Sequence, residues 1–458
     1  MTVDDVECRH RIVEAGFKSV GLHGGFSLRL SQGTFDGILT IRLRCRTESC
    51  LLWGNGLRNC RQRQDVKEPV SMTSRERFKA ALNHQEPDRV PLDLGTCETV
   101  MAREVYEGLA ELLGIEPTAA EGVEHPGTFV CPDEKMLEAL GIDTRHVDVV
   151  SKPDTVDADS PWPKKEVHPD GAIDWTQASG AIYRLPAGES DTQLYRPAIT
   201  GELTAEEVDR AFPPDPTPRD WADPEATRTA ISAVHEQGKA VLINHVFIPM
   251  MATWGAVGME RSLVEMVLQP ELYCRIMDNS IAGTFATAES FFAAAGSEAD
   301  CVYAIADDVA THTGMLMSPD DYRRYVKPRH AEIVRFVKAR TNSKFMLHCC
   351  GAMKPILPDL IEIGVDVLNP TQTSAAGMDP FELKREFGND IIFWGGIDVI
   401  ELLPFGTPAD VEREVKRHID ALAPGGGYIF SPSHMIQRFT PPENVLTMYQ
   451  TALEYGRT

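Results

Sequence analysis

The segment LHCCG at residues 347–351 places a histidine and a cysteine two positions apart. When such a pair directly follows a β-strand, His348 and Cys350 point to the same side of the chain and Cys349 points to the other. One imidazole nitrogen and one thiolate make up half of a tetrahedral zinc site. The spacing therefore indicates a metal site. The alternative is structural, with two buried cysteines packed beside a hydrogen-bonded histidine.

A catalytic zinc ion is held by three protein ligands, which leaves one position free for substrate. His434 is the candidate for the third ligand, and for a catalytic role of its own, because it follows the last predicted strand. In a closed barrel the last strand lies beside the first. The acidic pair Asp307 and Asp308 ends another predicted strand. Either could transfer a proton, orient a ligand or support a metal-bound histidine, and either could instead cap a helix.

Further polar residues follow predicted strands and are candidates to bind a polar substrate. They are Asp93, His245, Asn369, Gln372 and Asp398. We expect His245 in the wall of a pocket. The amides and the carboxylate of the last three could hold a ligand, or they could cap the helices that follow them.

Short strand-like runs alternate with helical runs of about ten residues or more, most regularly from about residue 226 onward. The strand candidates are residues 90–94, 240–245, 301–305, 344–348, 365–369, 391–394 and 428–430. This alternation predicts parallel βαβ units. No Gly-x-Gly-x-x-Gly motif opens a helix after any of these strands, so a closed (β/α)8 TIM barrel is favoured over a dinucleotide-binding sheet. The active site of such a barrel lies at the carboxyl ends of its strands.

The barrel is predicted to span residues 72–458 and to begin with a capping box at Thr73 and Glu76. Residues 151–225 are rich in Pro, Asp, Trp and Gly, which predicts a hairpin-like insertion followed by a loop. Residues 1–71 contain 11 Lys and Arg against 8 Asp and Glu, in a chain whose formal net charge is −23. They form either a poorly ordered N-terminal extension or the product of a start assigned upstream of Met72.

The acidic charge and the hydropathy pattern exclude several classes of partner. A net charge of −23 repels nucleic acid and anionic lipid. No apolar run approaches the roughly 20 residues of a membrane-spanning helix. The ten cysteines form no recognisable disulfide framework, and no secretory signal is evident, so we expect a reduced, cytoplasmic setting.

Several segments of residues 72–458 resemble the uroporphyrinogen decarboxylase superfamily, most closely its branch of cobalamin-linked methyltransferases. These segments read SRERFKAAL, DRVPLDLG, ADDVATHTGMLMSPDDYRRYVKPRH, HCCG, IEIGVDVLNPTQ, FWGGID and GGGYIFSPSHMIQRFTPPENV. Together they cover almost the whole second half of the chain, in order. The resemblance implies a (β/α)8 barrel with its active site in the mouth.

The zinc methyltransferases of this superfamily hold the metal with a His-x-Cys pair and a third ligand after the last strand. His348 and Cys350 match the pair, and His434 falls at the third position, which is usually cysteine. Related sequences often read Pro-Cys-His where this chain has Ser433 before the histidine. The resemblance implies zinc-assisted methyl transfer between a corrinoid, such as methylcobalamin, and a small-molecule substrate. No Asp-x-His-x-x-Gly segment is present, so the corrinoid is expected on a partner protein.

Two alternatives stay open beside methyl transfer. The porphyrin-pathway decarboxylases carry an Arg-Gln-Ala-Gly-Arg segment that binds substrate carboxylates, whereas residues 90–100 here read VPLDLGTCETV. His434 nevertheless matches a histidine of those enzymes, and Asp93 could stand in for their acid. The third possibility is a non-catalytic barrel that binds a tetrapyrrole or corrinoid.

Overall fold

The computed structural model describes residues 42–44, 49–51, 71–96, 98–118, 120–121, 129–152, 164–189 and 192–457. The chain divides into two compact units, Met1–Val70 and Ser71–Thr458. In the first unit the strands Arg42–Arg44 and Ser49–Leu51 pair antiparallel. The rest of that unit lies outside the described residues. The two alternatives for residues 1–71, a poorly ordered extension or a start assigned upstream of Met72, therefore concern residues that the structure mostly does not describe.

Seven parallel strands form the main sheet of the second unit, and their order in the sheet follows the sequence. We number them barrel strands 2 to 8: Thr144–His146, Ala240–Phe247, Cys301–Ala306, Lys344–His348, Val367–Asn369, Ile392–Ile397 and Tyr428–Pro432. Residues 90–94, called barrel strand 1, lie between strands 8 and 2. Leu92 makes a parallel bridge to Phe430, and its carbonyl accepts the N–H of Asp143. This segment completes the predicted (β/α)8 barrel.

Helices surround the barrel, as the alternating pattern predicts. In the described residues the α-helices are Ser74–Leu82, Arg103–Leu113, Glu134–Ala139, Ala205–Ala211, Pro224–Glu236, Pro249–Val257, Met259–Leu268, Pro270–Ala295, Pro319–Asp321, Lys327–Lys338, Leu357–Ile363, Pro380–Phe387, Leu402–Phe405, Pro408–Leu422 and Pro442–Tyr455. A π-helical segment, Tyr322–Val326, joins two of them, and a 3-10 turn spans Lys354–Ile356. Thr73 and Glu76 form the predicted capping box. Within the part of the chain described here, no helix has the length and apolarity needed to cross a membrane.

The interior of the barrel is packed, and its amino-terminal end is closed. Inward-facing side chains form one cluster: Leu242, Tyr303, Met346, Val367, Ile392, Trp394 and Ile429. Phe78, on the helix Ser74–Leu82, joins this cluster and lies edge-on against Trp394, with ring centroids 5.5 Å apart. Because this helix covers the amino-terminal end, a ligand can reach the interior only through the mouth at the carboxyl ends of the strands.

The predicted insertion forms a four-stranded antiparallel meander. Its strands are Lys164–Val167, Ile173–Thr176, Ile182–Leu185 and Gln193–Arg196. It contains two strands more than the predicted hairpin, and the helix Ala205–Ala211 occupies part of the predicted loop. Thr204 caps that helix, and Val208 is its one buried residue. A single buried position gives too little apolar periodicity to predict a helix.

An ion pair between Asp174 and Arg184 joins two strands of the meander, with Nε and Oδ1 2.6 Å apart. The hydrogen bond from Arg184 lowers the pKa of Asp174 to about 2, from 3.8. The pair therefore stabilises the fold above roughly pH 4 and loses its effect as the pH falls toward 2. In urea titrations, Asp174→Asn is expected to lower the free energy of unfolding by about 1 kcal/mol at neutral pH. If Asp174→Asn lowered the free energy of unfolding equally at neutral pH and near pH 2, the stabilising role of this ion pair would be contradicted.

Candidate functional site

Barrel strands 5 and 8 bring His348, Cys350 and His434 together at the carboxyl end of the barrel. Their potential ligand atoms all lie within 4.8 Å of one another, and Cys350 Sγ is 3.6 Å from His348 Nε2. In a tetrahedral zinc site, bonds of about 2.0–2.3 Å hold ligand atoms roughly 3.3–3.8 Å apart. The donor set therefore fits zinc, and the distance between Cys350 Sγ and His348 Nε2 lies within this range. No second group of three such side chains was found in the described ranges.

Neighbouring residues fix the orientation of this cluster. His348 Nδ1 lies 2.7 Å from Asn369 Oδ1. Because an amide oxygen only accepts, Nδ1 carries a proton, and Nε2 is the ring nitrogen that faces Cys350. Gln372 accepts the backbone N–H of Gly351 at 2.7 Å and so holds the loop after strand 5. Cys349 is fully buried in the outer core.

The glycine that ends the HCCG segment is required by space and by backbone conformation. Gly351 has φ +97°, and a Cβ atom there would lie 2.4 Å from the carbonyl oxygen of Thr311. Any other residue would displace the loop that carries Cys350.

The charges within the cluster favour a cysteine thiolate beside a charged histidine. Burial opposes the charge of His348, but Glu98 and Cys350 outweigh it and raise the pKa of His348 to about 10. Burial also opposes the Cys350 thiolate, but His348 overcomes this and lowers the pKa of Cys350 below 9.0. The thiolate is the form of cysteine that binds metals.

Glu98 is a residue of this site that sequence analysis missed. Its Oε2 lies 3.5 Å from His434 Nε2, and the Tyr303 hydroxyl donates to its Oε1 at 3.0 Å. The ring centroids of Tyr303 and His348 are 5.9 Å apart. The available signal was the position of Glu98 just after barrel strand 1, at the same end of the barrel as the other candidates.

Asp93 lies beneath the turn that carries Glu98 and has no exposed surface. Its carboxylate accepts hydrogen bonds from the side chains of Thr96, Thr99, Thr144 and Trp394. Burial raises the pKa of Asp93, although these hydrogen bonds partly oppose the effect. Its oxygens are occupied by neutral donors, so Asp93 holds Thr96 and Thr99 in place.

Asp308 lies beside the cluster. Its Oδ1 accepts the backbone N–H of Cys350 at 2.8 Å. Burial raises the pKa of Asp308, and the charge of His348 partly offsets this. Asp308 therefore adjoins the candidate metal ligands and positions the loop that holds Cys350.

Asp307 is turned away from the cluster into the layer of helices. It accepts the N–H groups of Met250 and Met251 at 3.0 Å each. Its Oδ2 also lies 2.9 Å from His330 Nε2. These contacts make Asp307 a buried cap for the helix Pro249–Val257, and its side chain does not reach the cluster.

His245 and Asp398 also lie apart from the cluster. The His245 ring stacks on Phe291 outside the barrel, with centroids 4.7 Å apart, and burial lowers its pKa to about 4. Asp398 accepts the N–H groups of Ile400 and Glu401. Its carboxylate therefore caps the turn before the helix Leu402–Phe405.

Comparison with known proteins gives matches to two kinds of enzyme. A methylcobamide:CoM methyltransferase (MtaA) of Methanosarcina barkeri is 30% identical over 194 residues, which cover 41% of this chain and 51% of that protein. A uroporphyrinogen decarboxylase of Neisseria gonorrhoeae is 31% identical over 101 residues, covering 22% of this chain and 27% of that enzyme. The chain thus spans about half or less of the length of these curated relatives.

The fold and the family agree with each other. The structure of a methyltransferase from Methanosarcina mazei superposes with a TM-score of 0.54 at 18% identity, covering 84% of this chain and 99% of that chain. This likeness supports the barrel fold. The model of the uroporphyrinogen decarboxylase (URO-D) family matches residues 188–455, more than half of the sequence. The chain therefore belongs to the uroporphyrinogen decarboxylase family.

Proposed function

We propose that this chain is a methyltransferase that moves a methyl group between a corrinoid and a small molecule, with zinc bound by His348, Cys350 and His434. The observation that carries the proposal is the convergence of these three ligand atoms within 4.8 Å at the barrel mouth. Three protein ligands leave one coordination position for a substrate. When bound, zinc lowers the pKa of a thiol and so supplies a thiolate nucleophile at neutral pH.

The residues around the ligands have defined tasks in this proposal. Asn369 keeps the proton of His348 on Nδ1 and leaves Nε2 free to coordinate. Asp308 holds the Cys350 backbone through its N–H. Glu98 is placed to accept, at Oε2, the proton that a bound thiol releases. Its carboxylate borders His434 and is kept in position by the Tyr303 hydroxyl.

A corrinoid would have to approach from outside, on a separate partner protein. The barrel interior below the cluster is filled by side chains that include Tyr303, Met346 and Trp394. The helix Ser74–Leu82 covers the other end. The mouth therefore offers a reaction surface above the cluster, and the packed interior leaves no volume for a macrocycle.

Decarboxylation of a porphyrinogen is a weaker match to the site. A polycarboxylate substrate needs cationic partners. The side chains of Glu98 and Asp308, which adjoin the cluster, are instead acidic. Arg77 and Arg89, close in sequence to strand 1, both pair with Asp143 at the opposite end of the barrel. The buried Asp93 has no open side on which to meet a substrate.

Demethylation of methylcobalamin by the zinc-supplemented full chain tests the proposal. A thiolate that takes the methyl group leaves a thioether and cob(I)alamin, which is followed by absorbance under anaerobic conditions. With 2-mercaptoethanol as acceptor, we expect turnover that falls at least about 100-fold in Cys350→Ser. Release of carbon dioxide from uroporphyrinogen without demethylation would instead support the decarboxylase. Binding of methylcobalamin without turnover, unchanged in the variant, would support the non-catalytic barrel.

A further inference from the structure

A second pair of polar side chains faces the barrel interior, on strands 2 and 3. Leu242 packs in the inner cluster, and its register partner on strand 2 is His146. Asn244 follows Leu242 by two residues and is the register partner of Tyr303, another member of that cluster. Register partners, and residues two apart on one strand, lie on the same face of a sheet. His146 and Asn244 therefore both point inward.

Each of these two side chains has a buried polar atom with no hydrogen-bond partner in the described part of the chain. The atoms are His146 Nδ1 and Asn244 Oδ1. His146 Nε2 lies 3.0 Å from Asp148 Oδ1, so the carboxylate accepts the Nε2 proton and, in the neutral imidazole, Nδ1 keeps a lone pair. Both atoms are thus acceptors. A buried acceptor left without a donor is costly, so a ligand that donates hydrogen bonds here is favoured.

Tyr303 connects this pair to the candidate metal centre. It is the register partner of Asn244 on the neighbouring strand, its hydroxyl donates to Glu98, and its ring centroid is 5.9 Å from that of His348. The acidic groups beside the cluster, Glu98 and Asp308, favour cations over anions at the cluster end of such a ligand. A ligand that extends from the cluster toward strands 2 and 3 therefore meets the two unpaired acceptors at its far end.

We propose that His146 and Asn244 form a substrate subsite that accepts hydrogen bonds from a hydroxyl or ammonium group. The inference rests on the proposed function, because it places the reactive sulfur of the same molecule at His348 and Cys350. It assigns the acceptor substrate to the class of small thiols with a neutral or cationic donor group at the far end. An anionic sulfonate at that end is disfavoured, because it has no proton to donate to the acceptors of His146 and Asn244.

Calorimetric titration of the zinc-supplemented full chain tests the subsite with matched probes. The probes are 4-mercapto-1-butanol and 1-butanethiol, which share the thiol and differ in the hydroxyl. Wild type is expected to bind the hydroxythiol about tenfold more tightly. Asn244→Leu should lose this preference and keep its affinity for butanethiol. His245→Phe is the matched control, because His245 lies on the same strand and faces outward; it should keep the preference.

The possible outcomes separate the subsite from the proposed function. Equal affinities of wild type for the two thiols, or a preference that persists in Asn244→Leu, would overturn the subsite and leave thiol binding intact. If neither thiol binds, 1,4-butanediol is used as the probe and the ring ¹⁵N signals of His146 are followed. A shift that is absent in Asn244→Leu would then support the subsite and count against thiol chemistry. Without such a shift, both proposals fail.

Discussion

Cys350→Ser is expected to reduce the zinc content of the purified protein from about one ion per chain to near zero. The serine hydroxyl stays protonated at neutral pH and is a poor zinc ligand, so only two imidazoles remain. The thiolate it replaces is favoured by the neighbouring His348. The measurement is inductively coupled plasma mass spectrometry after dialysis against metal-free buffer.

Cys349→Ser is the matched control for this experiment. This variant also replaces one sulfur atom by oxygen, but Cys349 lies fully buried on the other side of the loop. The bound zinc should therefore remain, even if the free energy of unfolding falls. Asn369→Ala should give an intermediate result, a loss of zinc affinity of about 10- to 100-fold, because it removes the partner of His348 Nδ1. A folded wild-type protein without zinc, or a Cys350→Ser variant that retains it, would contradict the metal assignment.

Asp307→Ala is expected to lower the free energy of unfolding by about 3 kcal/mol or more. The substitution leaves the N–H groups of Met250 and Met251 without their acceptor and His330 Nε2 without its partner, and both Asp307 and His330 are buried. Unfolding in urea, followed by circular dichroism, measures the loss.

Asp308→Ala is the comparison for Asp307→Ala, because it makes the same substitution at the adjacent residue. Asp308 caps no helix and accepts the N–H of Cys350, so we expect a loss of about 1 kcal/mol in stability together with weaker zinc binding. Asp307→Ala should keep one zinc per chain at temperatures where it is folded. The reverse pattern, with zinc lost only in Asp307→Ala, would show that these positions are wrongly assigned.

Sequence alone was sufficient for features that depend on local spacing. The His-x-Cys pair predicts that two side chains share one side of the chain, because residues alternate sides along an extended strand. The capping box at Thr73 and Glu76 is likewise local. The alternation of strand and helix predicts the barrel, since parallel strands require a crossover between them. Strand 2, Thr144–His146, is too short to be found in this way.

Only the tertiary structure decided which side of each strand faces the barrel interior. Alternation determines that Asn244 and His245 point in opposite directions, but it does not say which one points inward. The direction is decided by two facts: Asn244 is the register partner of Tyr303, and it lies two residues after Leu242. Both Tyr303 and Leu242 belong to the inner cluster. Asp307 and Asp308 pose the same question, and a register shift after Tyr303 makes their directions unpredictable from the pattern. The position of Glu98 beside His434 depends on closure between barrel strands 1 and 8. Such contacts join residues distant in sequence, so no local pattern specifies them.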